Sequence, residues 1–209
     1  MIRILIADDH AIVRRGVKQI ITDEFPSAII VEVSDVESLI MRVMKEDWDV
    51  IISDISMPGR SGVEALEQVK QIKPGIPVLM MSMHPEDQYA LRVLKAGASG
   101  YLNKSSVHEE LIKAIHTVRI GRKYITPSIA ERLAGTLNTV AGKLLHEILS
   151  NREFEILKMI ASGKSISEIA AQLSLSATTV STYRSRILEK TSMKGNADIT
   201  RYALENKLI

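Results

Sequence analysis

Residues 2–9 read Ile-Arg-Ile-Leu-Ile-Ala-Asp-Asp, a short apolar run that ends in two carboxylates. Three later stretches repeat this layout, with one polar side chain ending an apolar run: Asp54 after residues 50–53, Ser82 after 77–81 and Lys104 after 100–103. Short apolar runs separated by helical patterns predict parallel strands that are buried on both faces. The carboxyl ends of such strands line one edge of a sheet. The sequence therefore predicts that these side chains meet in one crevice.

The predicted crevice combines the carboxylates of Asp8, Asp9 and Asp54 with the hydroxyl of Ser82 and the ammonium of Lys104. Adjacent carboxylates repel one another and raise each other's pKa unless a cation lies nearby. A hard divalent ion such as Mg²⁺ relieves this repulsion, and it is usually bound by one or two carboxylates, waters and a phosphate. We therefore expect phosphoryl chemistry here, with Mg²⁺ or Mn²⁺ as cofactor.

The first 120 residues alternate between strand and helix patterns. Strands are predicted at 2–7, 28–34, 49–53, 76–82 and 99–102, and helices at 11–24, 35–46, 61–73, 86–97 and 106–120. Strand–helix alternation closed by right-handed crossovers predicts a doubly wound, five-stranded parallel sheet of the α/β class.

From residue 149 onward the pattern is helical only. Ser150-Asn-Arg-Glu153 and Ser165-Ile-Ser-Glu168 both have the spacing of a capping box at a helix start. Ser176 caps a third helix to about residue 192, and only Ser174-Leu-Ser176 separates it from the second. Such a short joint is typical of a helix-turn-helix. A last helix is predicted from residue 196 or 197 to 206.

These patterns predict three segments: a domain over 1–120, a linker over 121–148 and a small all-α domain over 149–209. Within the linker, Pro127 is suited to open a short helix that runs to Leu137, since proline fits the first helical turn. Residues 136–142 then form a polar stretch rich in small side chains.

The charge of the chain is unevenly distributed. Residues 1–120 carry 14 basic and 17 acidic side chains, whereas residues 149–209 carry 9 and 6. A basic tail is compatible with a polyanionic partner, although an ordinary solvated face reaches the same balance. The chain has no cysteine, which excludes disulfides, thiolate catalysis and cysteine-based zinc sites. It also lacks a signal-peptide layout and a run of about 20 apolar residues, so we expect a cytoplasmic protein without a membrane partner.

Several ordered strings resemble the receiver domain of bacterial response regulators over about residues 1–120. They are Asp8-Asp9, Asp54-Ile-Ser-Met57-Pro58-Gly59, Ser82 and Lys95-Ala-Gly97-Ala-Ser-Gly-Tyr101-Leu-Asn-Lys104. The resemblance implies a flavodoxin-like fold, with Asp54 accepting a phosphoryl group from a phosphohistidine of a sensor histidine kinase. A carboxylate can act as such a nucleophile.

The resemblance also implies a role for each neighbour of Asp54. Asp9 and Asp54 ligate the metal directly, Asp8 acts through water, and the backbone carbonyl of Ser56 completes the protein ligands. Lys104 pairs with one phosphoryl oxygen and Ser82 bonds another, after which the ring of Tyr101 fills the vacated space. Taken singly, Asp9 is also explained as a helix cap, Lys104 as a surface group and Tyr101 as a core residue.

Residues 149–209 resemble the LuxR-type helix-turn-helix of the NarL/FixJ group. The matching strings are Leu149-Ser-Asn-Arg-Glu153, Ile156-Leu157, Ile160-Ala-Ser-Gly163, Ser167-Glu-Ile-Ala170, Leu175-Ser176, Thr178-Thr179-Val180 and Arg186-Ile-Leu-Glu-Lys190. The string Val180-Ser-Thr-Tyr183 further resembles a subgroup of BvgA-like virulence regulators. The resemblance implies binding to double-stranded promoter DNA as a homodimer.

Helical spacing turns Val180, Ile187 and Leu188 inward and leaves polar residues for the major groove. The candidate DNA contacts are Thr178, Thr179, Ser181, Thr182, Arg184, Ser185, Arg186 and Lys190. Two positions depart from the family pattern, since Ser181 stands where lysine is common and Tyr183 where histidine is common. Fewer cations at the base edges favour hydroxyl or shape readout. On the last helix, Ile199, Tyr202 and Ala203 supply either a dimer contact or core packing.

Together these features predict a response regulator that controls transcription. Two rivals stay open: a regulator that binds DNA without phosphorylation, and a phosphotransfer or docking module whose helical domain binds protein. An enzyme such as a phosphatase is disfavoured, because no second general acid or substrate pocket is evident in the sequence.

Overall fold

A computed structural model describes residues 1–57, 61–138 and 144–209. Pro58 and Gly59 of the receiver-like string, and residues 139–143 of the predicted linker, lie outside these ranges. The chain divides into two compact units, Met1–Asn138 and Thr139–Ile209. The predicted linker 121–148 is therefore shared between the two units.

A five-stranded parallel sheet forms the centre of the first unit. Its strands are β1 (Arg3–Ala7), β2 (Ile29–Val33), β3 (Val50–Asp54), β4 (Val78–Ser82) and β5 (Gly100–Asn103), in the order β2-β1-β3-β4-β5. The register pairs Ile4 with Val50 and Ile51 with Val78. The apolar residues of β1 and β3 are almost fully buried, as expected for strands covered on both faces. The predicted doubly wound α/β fold is confirmed.

Helices on both faces of this sheet connect its strands. They are α1 (Ala11–Glu24), α2 (Val36–Lys45), α3 (Gly62–Ile72), α4 (Glu86–Lys95) and α5 (Val107–Arg119). Each of α1, α2, α3 and α5 buries an apolar stripe, such as Val17 and Ile21 on α1. The predicted bounds agree with these to within about two residues.

A sixth helix, α6 (Pro127–Asn138), follows the sheet and packs on α4 within the first unit. The hydroxyl of Thr126 precedes this helix and donates a hydrogen bond of 2.9 Å to Glu86 Oε2 at the start of α4. Tyr124 forms a bridge with Gly100, so the segment after α5 runs beside β5. The predicted short helix exists, but its contacts belong to the sheet-containing unit.

The second unit consists of a 3-10 turn (Leu145–Ile148) and four helices among its described residues: α7 (Asn151–Ala161), α8 (Ile166–Leu173), α9 (Ala177–Thr191) and α10 (Asn196–Glu205). Both predicted capping boxes are present, at Ser150 and Ser165. Gly163 has a φ of +83°, which allows the chain to turn sharply after α7. Throughout the described residues, every helix is too short or too polar to cross a bilayer.

Candidate functional site

The acidic residues lie between β1 and β3, the point at which the order of strands in the sheet reverses. β1 and β3 are neighbours, so Asp8 and Asp9 follow one strand while Asp54 ends the other. Loops at the carboxyl ends of strands meet at such a switch point and form the usual ligand site of doubly wound sheets. Lys104 reaches this point from the end of β5. Its Nζ lies 2.7 Å from both Asp8 Oδ2 and Asp54 Oδ2.

These three charges are removed from solvent. The side chains of Asp8, Asp54 and Lys104 are 0%, 2% and 7% exposed. Burial raises the pKa of the Asp54 carboxyl, and the bond from Lys104 opposes that rise without cancelling it. Burial also disfavours the charged form of Lys104, but its bonds to Asp54 and Asp8 outweigh burial and raise the pKa of the amine. Lys104 is therefore held as a cation, and its positive charge lies beside the Asp54 carboxylate.

The backbone packs closely around Asp54. The Ser56 N–H donates to Asp54 Oδ1 at 3.2 Å, while Gly62 N–H donates to the carbonyl of Ile55 at 2.9 Å. A Cβ atom at Gly62 would lie 2.3 Å from the Asp54 carbonyl oxygen. Only glycine fits there, and the start of α3 can therefore approach the end of β3.

Ser82, Tyr101 and His84 form a second cluster beside the acidic residues. Ser82 is buried at the end of β4, and its Oγ accepts a bond of 3.0 Å from the backbone N–H of His84. Tyr101 is fully buried, and its hydroxyl donates to the carbonyl of His84 at 2.5 Å. Asn103 Nδ2 donates to the same carbonyl at 3.1 Å. The loop after β4 is thus joined to both Ser82 and Tyr101.

The acidic cluster is suited to hold a divalent cation. One donor atom from each of Asp8, Asp9, His10 and Asp54 falls within 4.8 Å of the others. Asp9 Oδ1 is buried and accepts no hydrogen bond of normal geometry from any described residue, whereas Asp8 Oδ2 faces the Lys104 ammonium at 2.7 Å. Carboxylate oxygens with free lone pairs are the ligands that Mg²⁺ prefers. The donor set therefore fits a hard cation.

Sequence reasoning missed two residues of this crevice. His10 Nδ1 lies 2.7 Å from Asp9 Oδ1, and Arg14 Nη1 donates to the backbone carbonyl of Asp8 at 2.6 Å. The signal for His10 was its position directly after two carboxylates. Arg14 carries no comparable signal, because its role depends on how the first turn of α1 lies against the end of β1.

In the second unit, α9 buries one face and exposes the other. Val180 and Ile187 are fully buried, whereas Thr178, Ser181, Thr182, Ser185 and Arg186 are exposed. A concavity of about 310 Å³ is lined by residues from the first turns of this helix: Ser176, Thr178, Thr179, Thr182, Tyr183 and Arg186. Ser176 and Tyr183 were absent from the predicted contact set. Four hydroxyl side chains, one phenol and one arginine give this surface many hydrogen-bonding groups.

Two predicted cations on α9 have protein partners. Lys190 Nζ lies 2.7 Å from Glu153 Oε2, and Arg184 Nε donates to Asn196 Oδ1 at 2.7 Å. Burial tends to raise the pKa of the Glu153 carboxyl, but bonds from Lys190 and Ser150 outweigh it and hold that pKa below its usual range. Lys190 thus joins α9 to the capping box of α7, which is an intramolecular role.

The sequence leaves two interpretations of the last helix open, a dimer contact and core packing, and the structure bears on this choice. Ile199 and Ala203 are fully buried in the core of their own unit. The hydroxyl of Tyr202 accepts a bond of 3.2 Å from the backbone N–H of His146 and lies 2.8 Å from its Nδ1. A buried side chain has no surface left for a second copy, so burial favours core packing for Ile199 and Ala203.

An acidic, lysine-containing crevice on a doubly wound sheet, followed by a helix-turn-helix unit, defines a two-part regulator that receives a phosphoryl signal. Residues 4–116 match the response regulator receiver domain family, and residues 147–203 match the luxR family of bacterial regulatory proteins. The chain belongs to the response regulators of transcription that combine these two domains, as its sequence predicts.

Named relatives align with the chain from end to end. Response regulator UvrY of Escherichia coli (strain K12) is 33% identical over 209 residues, covering 100% of this chain and 96% of UvrY. The oxygen regulatory protein NreC of Staphylococcus carnosus is 35% identical over 214 residues, with 99% of each chain covered. RcsB from Salmonella enterica serovar Typhimurium, bound to promoter rprA with a phosphomimetic, superposes with a TM-score of 0.65 at 25% identity. That superposition covers 97% of this chain and 98% of RcsB.

Proposed function

We propose that Asp54 is the residue that receives the phosphoryl group, from a phosphohistidine of a sensor histidine kinase. The observation that carries this assignment is the buried ammonium of Lys104, which lies 2.7 Å from Asp54 Oδ2. Phosphoryl transfer depends mainly on positioning and on neutralising the charge of the transferred group. Lys104 supplies a fixed positive charge where the phosphoryl oxygens arrive.

In the proposed step, a carboxylate oxygen of Asp54 forms a bond to phosphorus while the P–N bond of the donor breaks. The electron pair of that bond returns to the donor imidazole, which then takes up a proton. Asp54 must be ionised to attack, and Lys104 opposes the rise in pKa that burial causes. The Ser56 N–H holds Asp54 Oδ1 at 3.2 Å and so limits rotation of the carboxylate.

Mg²⁺, or Mn²⁺ in its place, fits the donor set of Asp8, Asp9 and Asp54, together with the backbone carbonyl of Ser56 proposed from the resemblance. When bound, such an ion supplies charge neutralisation for the phosphoryl oxygens. The protein's contribution is to hold three carboxylates together near one point, where Asp9 Oδ1 accepts no hydrogen bond of normal geometry from a described residue.

We propose that Ser82 and Tyr101 respond to the phosphoryl group on Asp54 by moving the loop that follows β4. The Ser82 hydroxyl can donate to a phosphoryl oxygen while its Oγ still accepts from the His84 N–H. Movement of Ser82 towards the phosphoryl group therefore draws on the loop that carries His84, whose carbonyl is the acceptor for Tyr101. A contact that exists only in the phosphorylated state stabilises one of the two conformations of this loop. The same loop leads into α4, where Glu86 bonds Thr126 directly before α6. This chain of contacts supports transmission from the crevice to the end of the receiver.

The second unit is proposed to bind promoter DNA through α9, with the hydroxyls and Arg186 of the concavity at its first turns contacting phosphates and base edges. RcsB, at 26% identity and a TM-score of 0.59, has been solved as an RcsB–DNA complex, which supports this assignment. We propose a homodimer on DNA whose α10 contact uses exposed side chains such as Leu204, which is 60% exposed.

We retain 1–120 as the receiver, 121–148 as the connecting segment and 149–209 as the DNA-binding domain. A protein that receives its signal from a kinase and acts on promoter DNA works in the bacterial cytoplasm, without a membrane partner. Its output is regulation of transcription, so we do not assign it an enzymatic activity on an external substrate.

DNA binding to genomic fragments tests the proposal. Wild type and Asp54→Ala are compared with and without Mg²⁺ and acetyl phosphate, and we expect the phosphodonor to tighten binding of wild type only. Tight binding that neither the donor nor the substitution changes identifies a regulator that works without phosphorylation. Absence of specific binding under every condition points to a tail that binds protein. A steep fall of affinity with salt distinguishes DNA phosphate contacts from protein docking.

A further inference from the structure

His10 is a component of the crevice that the proposed phosphoryl chemistry leaves without a role. Its Nδ1 lies 2.7 Å from Asp9 Oδ1 and 3.3 Å from Asp8 Oδ1. The backbone N–H of His10 also donates to Asp8 Oδ1 at 2.8 Å, which fixes the residue at the start of α1. The side chain is 61% exposed, so an ion from solvent can reach it.

The contact between His10 and Asp9 has the length of a hydrogen bond but lacks its geometry. Asp9 Oδ1 is buried and accepts no hydrogen bond of normal geometry from a described residue, although Nδ1 is 2.7 Å away. The same Nδ1 has hydrogen-bond geometry with Asp8 Oδ1 at 3.3 Å, so one ring nitrogen faces carboxylate oxygens of both Asp8 and Asp9. A ring nitrogen and carboxylate oxygens gathered this closely are placed to share a single cation.

The distances agree with that arrangement. Adjacent ligands of an octahedral ion with bonds of about 2.1 Å are about 3 Å apart. The separations of His10 Nδ1 from the nearest oxygens of Asp9 and Asp8 are 2.7 and 3.3 Å, which bracket this value. The donor atoms of all four residues, Asp54 included, lie within 4.8 Å of one another. One ion can therefore contact the imidazole and the carboxylates together.

We infer that His10 is a metal ligand that shifts the receiver's preference from Mg²⁺ towards Mn²⁺ and Co²⁺. Imidazole nitrogen suits borderline transition metals, whereas Mg²⁺ prefers oxygen donors and retains its waters. A site of carboxylates alone discriminates weakly between these ions, and one nitrogen donor gives the transition metals a selective gain. This inference rests on the proposed metal role of Asp8, Asp9 and Asp54.

Competition between metals tests the inference on the full-length chain. Binding of Mn²⁺ is measured by electron paramagnetic resonance, alone and against Mg²⁺, for wild type, His10→Ala and Asp9→Ala. His116→Ala is the matched control, because His116 is 54% exposed and its Nε2 lies 3.7 Å from Glu24 Oε1 in the same unit. Pulsed measurements of bound Mn²⁺ report directly whether a nitrogen ligates it.

We expect His10→Ala to weaken Mn²⁺ binding at least about tenfold, to change Mg²⁺ binding much less, and to abolish the nitrogen signal. His116→Ala should retain the wild-type preference and signal. An equal loss for both ions on His10→Ala, or a wild-type spectrum without nitrogen, overturns the inference and leaves His10 as a partner that only orients Asp9. If Asp9→Ala binds Mn²⁺ like wild type, the proposed metal site itself is wrong.

Discussion

Replacing Lys104 by methionine removes the ammonium that lies 2.7 Å from both Asp8 Oδ2 and Asp54 Oδ2. Methionine has a similar length, so the change removes charge with little change in packing volume. Asp8 and Asp54 are 0% and 2% exposed, so little water contacts either carboxylate in place of the lost ammonium. Two adjacent carboxylates are then left buried without this counter-charge.

Breaking a buried ion pair by removing one partner costs about 3–5 kcal/mol. We therefore expect Lys104→Met to lower the free energy of unfolding of the first unit by about 4 kcal/mol near neutral pH, without added metal. With a urea dependence of about 2 kcal/mol per molar, the midpoint falls by about 2 M. The loss should shrink in acid, because burial raises the pKa of Asp54 and removal of Lys104 raises it further. A carboxyl whose pKa is higher in the folded state destabilises that state most at pH values above this pKa. The loss of folding free energy disappears at lower pH, where the carboxyl is protonated and uncharged.

Trp48 makes the assay specific, because it is the chain's single tryptophan and is 5% exposed in the sheet-containing unit. Urea unfolding is followed by its fluorescence at about pH 7.5 and about pH 5, with a chelator present. Lys18→Met is the control: Lys18 Nζ lies 2.9 Å from Glu32 Oε1 at the surface, where a pair contributes about 0–1 kcal/mol. A loss for Lys104→Met no larger than that of the control, or one equal at both pH values, refutes the reasoning.

Three further predictions concern the two units separately. Arg186→Ala should weaken DNA binding and reduce the slope of log affinity against log salt concentration by about one. Lys190→Ala should leave that slope nearly unchanged, because Lys190 is paired with Glu153. Equal slopes for the two variants, measured by fluorescence anisotropy, would contradict this. The second unit should lose stability as pH falls through the depressed pKa of Glu153, because a carboxyl with a lowered folded-state pKa contributes its full stabilisation only above its unfolded-state pKa. Glu153→Gln should lose less stability in acid than wild type when melting is followed by circular dichroism. An equal loss in the variant assigns the effect to other groups. Gly62→Ala should destabilise the first unit by about 1–3 kcal/mol, because its Cβ would lie 2.3 Å from a backbone oxygen; a Trp48-detected urea midpoint equal to wild type would show that α3 shifts freely.

The sequence by itself determined the strands and helices of the sheet-containing unit and their succession along the chain. Apolar runs ending in Asp8, Asp54 and Ser82 predicted strands, and the structure has β1, β3 and β4 at those places. This prediction works because strands buried on both faces must be continuously apolar, and because parallel strands place their carboxyl ends at one edge. The capping boxes at Ser150 and Ser165 were equally local signals, since each uses side chains only three residues apart.

Only the tertiary structure decided which polar groups pair and which apolar groups are covered. Helical spacing gives Ile199 and Ala203 one face of α10, but whether that face meets α7 or a second copy depends on how the helices pack. Lys190 and Arg186 look alike in sequence, and only the position of Glu153, 37 residues away from Lys190, separates them. Likewise His10 shares a donor cluster with Asp54 only because the start of α1 lies beside the end of β3. Such pairings arise between residues distant in the chain, so local propensity and periodicity carry no information about them.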